Sequence, residues 1–372
     1  MATARDRLLL LLGPGWYAGI TTGDWLKLLY DNNFAVDFPY WPRAAVISMA
    51  SLINTMVRWP ETLVYSGKIR RTEVEQPLFI LGHPRSGTSH LHNLLSLDDR
   101  YAYPNFFEVN YPSTFLLGEP WAARLVEIFV PKQRFMDNMS QSAAVPYEEE
   151  WAMCMITTQS PYVGWTFTRR LDHYEKYWSL RDLPQREVDR WKNGLMHFLK
   201  KVTIKYKKPL ILKSPPHTCR IKLLLEMFPN AKFVSIRRDP FAVFQSTRHL
   251  WAKVRPFCQL QKVGVDDADE RILRQYRSVY DAYFEEKGLI PAGNLHELAY
   301  EDLEKHPEAE MRRIYEGLNL PDYATLEPKL QAYLTKVKDY QKNRHTDLPA
   351  DLKARIAKEW QPCFEAWGYP TT

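Results

Sequence analysis

Residues 79–95 read FILGHPRSGTSHLHNLL, and no other stretch restricts the fold as much. An apolar run, Leu78–Leu81, enters a tight polar turn bounded by Gly82 and Gly87, and an amphipathic run leaves it at Thr88. A strand, a glycine loop and a helix in that order make an anion cradle. The glycines let the backbone wrap closely, while the first N–H groups of the helix and its positive dipole end face the loop. The spacing is GxxxxG, yet Thr88-Ser89 stands where a nucleoside-triphosphate loop carries Lys-Ser or Lys-Thr. The loop therefore reads as a phosphate holder that does not handle a γ-phosphate and Mg²⁺. Arg85 offers it a guanidinium fork, and Thr88 and Ser89 offer hydroxyls.

Three more short apolar segments read as buried strands: Leu210–Leu212, Lys232–Ile236 and Leu295–Tyr300. Each leads into a helical pattern, so the repeating unit is strand then helix, which favours a parallel sheet covered on both faces. Ser214-Pro215 and Asp239-Pro240 each place an N-cap residue before a proline at the first helical position. Further helices are expected near 270–286, 301–318 and 351–367. The long stretch 98–208 between the first two strands holds much of the aromatic content and the run Glu148-Glu149-Glu150. An insertion of that size is a natural place for substrate recognition. The expected architecture is one α/β domain over 77–372, preceded by a helical extension over 1–76.

Composition excludes several classes. The 372 residues are 45% hydrophobic and 25% charged, as a globular chain should be, and a formal charge of +6 permits an anionic ligand without demanding nucleic acid. The four cysteines (Cys154, Cys219, Cys258 and Cys363) have no close pairs, so they read as reduced core residues of a cytoplasmic protein, and no histidine spacing suggests a metal site. The apolar run 44–57 is too short to span a bilayer. Val46, Ala50, Ile53 and Val57 fall at helical spacing; a buried helix is one reading, and an interfacial helix touching a membrane is the other. Lys200, Lys201 and Lys205–Lys208 read as a solvated helix end and loop.

HPRSGTSHLHNLL resembles the 5′-phosphosulfate loop of sulfotransferases that use 3′-phosphoadenosine-5′-phosphosulfate (PAPS). A bacterial-type group of that family reads "FILGHPRSGTTHLHNLL", then "LKSPPHT", then "RDPxxVFxS"; here Ser89 replaces a threonine and keeps the hydroxyl. The resemblance runs from about residue 44 to the C-terminus. It implies a three-layer P-loop-like fold with a central parallel sheet flanked by helices. It also implies PAPS as donor, 3′-phosphoadenosine-5′-phosphate (PAP) as product, and no metal. A second cradle is then required, and Arg238 and Ser246 supply it across a strand-to-helix junction, where an arginine and a serine can clamp one phosphate from two sides.

By the same resemblance, Arg85, Ser86, Gly87, Thr88 and Ser89 hold the 5′ end, Arg238 and Ser246 hold the 3′-phosphate, and Tyr300, Lys342 and Arg344 belong to late elements that close on the cofactor. Lys213, in Leu-Lys-Ser-Pro, should contact the bridging or sulfuryl oxygen, with Arg85 sharing that duty. The general base is open between several residues. Glu108 lies at an offset similar to the base of protein-tyrosine sulfotransferases and is favoured over Glu150 in the acidic run of Glu148 and Glu149. Histidine serves in cytosolic sulfotransferases, which brings in His90, His92 and His217. The expected activity is sulfuryl transfer from PAPS to a hydroxyl or amine of a small-molecule, glycan or lipid-like acceptor, with no nucleic-acid partner. An ATP- or GTP-dependent kinase or NTPase and a non-catalytic nucleotide-binding protein are the competing readings.

Overall fold

The computed structural model describes residues 12–129, 142–262, 268–338 and 347–371. Among the described residues, four parallel strands form one sheet: β1 (Leu78–Leu81), β2 (Ile211–Lys213), β3 (Lys232–Arg237) and β4 (Leu295–Ala299). Their spatial order is β2-β1-β3-β4. The register sets Ile80 beside Lys213 on one side of β1 and Leu81 beside Ser235 on the other. The chain therefore leaves β1 for one neighbour and returns past it to the other. In open α/β sheets, ligands collect at the carboxyl ends of strands where the order reverses in this way.

Strand residues alternate between two cores, because successive side chains of a strand point to opposite faces. Phe79, Leu81, Leu212 and Phe233 belong to the larger core. Leu78, Ile80, Ile211, Val234 and Ile236 belong to the smaller. In chain order the helices that matter here are α1 (Thr22–Asp31), α2 (Trp41–Arg71), α3 (Thr88–Leu95), α4 (Phe106–Asn110), α5 (Glu150–Ile156), α6 (Gln185–Tyr206), α7 (Pro240–Cys258) and α8 (Ala268–Glu286). They are followed by α9 (Tyr300–Lys305), α10 (Pro307–Gly317), α11 (Ala350–Glu359) and α12 (Gln361–Trp367). Leu91, Leu94 and Leu95 of α3 and Met311 and Ile314 of α10 cover the smaller core. Helices α1, α6, α7 and α8 cover the larger one. The result is the three-layer α/β arrangement expected.

Several boundaries differ from expectation, each for a local reason. The element after β2 is a 3-10 turn, Pro215–Cys219, and Ser214 does not cap it; the Ser214 hydroxyl instead accepts the N–H of Glu150 at 3.0 Å. Asp239 does cap α7, accepting the Ala242 N–H at 2.8 Å. The patterns at 301–318 and 351–367 each divide in two, because Pro307 and Pro362 sit in first turns and start new helices.

The described residues before β1 pack on the sheet's larger core. Trp16, Tyr17, Ile20, Trp25 and Leu28 are part of the larger core. Two lysines of the basic cluster also turn inward. Lys201 Nζ lies 2.5 Å from Glu61 Oε1 and 2.5 Å from the Pro112 carbonyl, with both charged side chains buried. Lys205 pairs with Glu108 and Glu119. The Glu61–Lys201 pair joins α2 to α6, and removing one partner strands a charge in the core. Glu61→Ala should cost about 3–5 kcal/mol, read by urea unfolding; a loss below about 1 kcal/mol would show that the pair does not tie the extension to the domain.

Candidate active site

The loop between β1 and α3 takes its shape from close approaches. A Cβ on Gly82 would lie 2.6 Å from the Ile236 carbonyl oxygen, and one on Gly87 would lie 2.3 Å from the Tyr300 ring. Both glycines have positive φ, 147° and 98°. Arg85 is also left-handed, at φ 75°, a conformation that costs a residue with a Cβ and is kept where the surroundings fix it. Here it brings the guanidinium to α7, where Nε donates to Ser246 Oγ at 2.8 Å. Arg238 Nη1 donates to the Arg85 carbonyl at 3.0 Å, and its guanidinium lies 4.5 Å over the Tyr300 ring. Arg85, Arg238, Ser246 and Tyr300 thus converge although they are far apart in the chain. Two guanidinium groups and a hydroxyl gathered at strand ends suit a doubly charged anion. Arg85 belongs to this cluster as well as to the loop, so the two cradles share one continuous surface.

Ser86 sits in the loop with a different task. Its buried hydroxyl donates to the His83 carbonyl at 2.7 Å, which closes the turn. Gly82 N–H donates to Thr218 Oγ1 at 2.8 Å, tying the loop to the turn after β2. Thr88 and Ser89 stand at the start of α3 on the wall of a cleft. Lys342 and Arg344 lie outside the described residues.

Lys213 ends β2 with its side chain 3% exposed. Its Nζ donates to Glu148 Oε1 at 2.6 Å and to Ser89 Oγ at 3.3 Å. It therefore bridges the phosphate loop and a carboxylate on the far side of the cleft. The other Glu148 oxygen accepts the Tyr162 hydroxyl at 2.8 Å. Burial, then the adjacent Glu148 charge, push the Tyr162 phenol well above its ordinary pKa, so it remains a donor. Around this pair the cleft wall is aromatic, with Trp16, Tyr147, Trp151, Tyr162 and Trp165, and Leu250 and Val254 of α7 complete it. Trp16 meets Trp151 edge-on at 4.0 Å and Trp165 at 5.7 Å.

Three adjacent glutamates do three different things. Glu148 faces the cleft. Glu149 is buried, and its Oε2 accepts the backbone N–H of Lys213 at 3.2 Å while Oε1 lies 2.5 Å from His217 Nε2. Burial would lift its carboxyl, but His217 outweighs that and holds it below the usual carboxylate value. Glu150 is buried in a bidentate pair with Arg220, at 2.7 and 3.2 Å. Glu149 and Glu150 therefore fix the end of β2, and only Glu148 lines the cleft.

The favoured base, Glu108, is elsewhere. Asn105 and Glu108 form a reciprocal capping box at the start of α4, and Glu108 Oε1 accepts Lys205 Nζ at 2.6 Å and the Tyr206 hydroxyl at 2.8 Å. Burial raises its pKa, but it is not on the cleft wall. The Asn-x-x-Glu spacing was the signal that it caps a helix. Glu150 is buried with Arg220 and does not line the cleft. His90 is half-buried on α3 with a pKa lowered mainly by burial, against the opposing charge of Glu304 on α9, and does not line the cleft either. His92 is buried behind Lys213; burial and then the Lys213 charge push its pKa down to about 3. Glu148 was inside a run that sequence could not resolve. Trp16 and Tyr162 carried no signal, because nothing local distinguishes a cleft-lining aromatic from a core one.

Three comparisons bear on this geometry. A profile described as the sulfotransferase family matches residues 77–324. The chain is 37% identical over 357 residues, 96% of its length and 91% of theirs, to proteins of Mycobacterium bovis and Mycobacterium tuberculosis named omega-hydroxy-beta-dihydromenaquinone-9 sulfotransferase Stf3. Among solved structures, sulfotransferase STF9 of Mycobacterium avium superposes with a TM-score of 0.65 at 16% identity, covering 94% of this chain and 97% of that one. Sulfotransferase STF1 of Mycobacterium tuberculosis H37Rv gives 0.67 at 15% identity, covering 91% of each. At that identity the structures speak for the fold alone, while the profile and the Stf3 relatives decide against a kinase or NTPase. The chain belongs to the sulfotransferase family.

Proposed function

We propose that the protein transfers the sulfuryl group of PAPS to a hydroxyl on an amphiphilic, lipid-like acceptor at a membrane surface. Glu148 serves as general base and Lys213 as the charge that stabilises the departing phosphate. The observation that carries this reading is the Lys213–Glu148 pair, set at the mouth of the phosphate loop and enclosed by aromatic side chains. The named acceptor of the Mycobacterium relatives, a hydroxylated dihydromenaquinone, supports an apolar acceptor, and the aromatic wall supplies the surface such a chain would cover. The four free, buried cysteines suit a cytoplasmic setting.

The residues present fit the donor. Gly87 lets the loop pass against Tyr300 where any Cβ would collide, and the N–H groups of the first turn of α3 have no acceptors within the helix. Gly87, Thr88 and Ser89 would hold the 5′-phosphate, and Arg238, Ser246, Arg85 and Tyr300 the 3′-phosphate. Bound PAPS supplies an electrophilic sulfur and a phosphate leaving group, and in-line transfer of this type depends mostly on positioning and charge stabilisation. Glu148 Oε1 takes the proton of the acceptor hydroxyl. Tyr162 keeps the carboxylate oriented through its other oxygen. Lys213 Nζ, already between Ser89 and Glu148, meets the negative charge that develops on the leaving side. Trp16, Trp151 and Trp165 keep water from the site.

Incubation with sulfur-35 PAPS should label long-chain primary alcohols in preference to phenols and sugars. Labelling of sugars alone would overturn the acceptor reading. Glu148→Gln should lower the transfer rate of the folded enzyme by about 10²–10⁴ and, because it leaves the Lys213 charge without its partner, also lower the melting temperature. Glu108→Gln should lower the melting temperature too, but with little effect on the rate of the folded enzyme. If Glu108→Gln abolished turnover in a stable protein, the assignment of base would move.

A further inference from the structure

Helix α2 is built inside out. Its buried residues are mostly polar: Arg43, Ser51, Asn54 and Glu61, with Ile47 and Ile69. Arg43 donates to the carbonyls of Gln259 and Pro256 at 2.8 and 3.0 Å. Asn54 donates to those of Ala18 and Ile20 at 2.8 and 3.1 Å. Glu61 holds Lys201. The large apolar residues point the other way: Trp41, Met49, Ile53, Met56, Trp59 and Leu63 are each more than half exposed, Leu63 at 79%. At about 100° per residue they fall within an arc of roughly 120°, opposite the buried side. The stripe is about 33 Å long at 1.5 Å per residue. Of the side of 44–57 expected to be buried, Ile53 is 61% exposed and Val46, Ala50 and Val57 are half-buried, so the helix is buried on its more polar side instead.

The charges of the helix sort with the stripe. Its only acid, Glu61, is buried, and exposed Lys68, Arg70 and Arg71 close its C-terminal end. Glu73 and Glu75 come after the helix has ended. Phe38, 76% exposed, meets Trp41 edge-on at 5.3 Å and extends the aromatic end. An apolar surface of this length is rare on a protein that is wet all round. An apolar arc with aromatic residues, basic neighbours and no exposed acid in the helix is the pattern of a helix lying in a membrane interface. Among the described residues no helix is long and apolar enough to cross a membrane.

We propose that α2 docks on an anionic phospholipid bilayer, with the Trp41–Leu63 arc among the acyl chains and Lys68, Arg70 and Arg71 on the headgroup phosphates. This deepens the lipid-acceptor reading and rests on it for its purpose, though its evidence is independent. The stripe and the cleft share supports. Arg43 ties the start of α2 to the end of α7, and α7 supplies Leu250 and Val254 to the cleft wall. Asn54 holds the backbone just after Trp16, which lines the same cleft. A second copy of the chain is the poorer occupant, because a self-complementary contact would find no exposed acid in the stripe to pair with the basic end.

The test is sedimentation of the full-length protein with vesicles of phosphatidylcholine and phosphatidylglycerol at 3:1, and with phosphatidylcholine alone. The wild type should pellet with the anionic vesicles, and Met56→Glu/Leu63→Glu should reduce partitioning by about tenfold or more. Arg70→Gln/Arg71→Gln should remove the preference for the anionic lipid. The circular dichroism and PAP affinity of these variants should match the wild type. Three results would overturn the proposal: wild type left in the supernatant with both vesicles, the Met56/Leu63 variant pelleting as well as wild type, or a wild-type dimer in ultracentrifugation that this variant converts to monomer. Sulfuryl transfer from PAPS to a lipid alcohol in detergent micelles separates the two readings, since it persists if only docking fails and disappears if the acceptor reading fails.

Discussion

The site depends on one ion pair. Lys213 and Glu148 meet across the cleft at the end of β2, with the lysine side chain almost wholly buried and the carboxylate mostly so. Two charges taken this far out of water are tolerable only while each keeps its partner and its hydrogen bonds. The neighbouring residues enforce that condition. Glu149 grips the Lys213 backbone, Ser214 takes the Glu150 N–H, and Arg220 fixes the Glu150 carboxylate. The acidic run is thereby fastened to the end of β2 and to the turn that follows it. Lys213 also donates to Ser89 on the phosphate loop.

The sheet order places the remaining parts. Because β1 lies between β2 and β3, its loop receives Lys213 from one side and Arg238 from the other. Close packing fixes the loop itself, at Gly82 against β3 and at Gly87 against Tyr300. An arginine held left-handed between those glycines then reaches Ser246 on α7. Strain at Arg85 is sustained because both ends of the residue are held, the carbonyl by Arg238 and the side chain by Ser246.

What the sequence made legible follows from the range of the forces involved. The strand Leu78–Leu81 and its loop could be read because turn chemistry and apolar runs are local signals, and Asp239-Pro240 announced α7 for the same reason. Glu108 stands at a suggestive offset, but an equally local signal, Asn-x-x-Glu, marks it as the cap that it forms with Asn105. The acidic run could not be divided among its tasks, since the partners of Glu149 and Glu150 (His217 and Arg220) lie more than sixty residues away. The orientation of α2 was unreadable in principle. Its apolar residues mark an amphipathic helix, but only the partners of Arg43, Asn54 and Glu61 reveal which face turns inward.

The ligand proposed for the strand-end surface is a nucleotide phosphorylated at both ends, with the lysine and carboxylate beside its 5′ side. Titration calorimetry of PAP against ADP on the purified protein tests this most directly. PAP should bind at least about tenfold more tightly than ADP, a gap of about 1.4 kcal/mol, without added Mg²⁺, and Arg238→Ala should erase the difference. ADP binding as tightly as PAP to the wild-type protein, or binding that needs Mg²⁺, would contradict it.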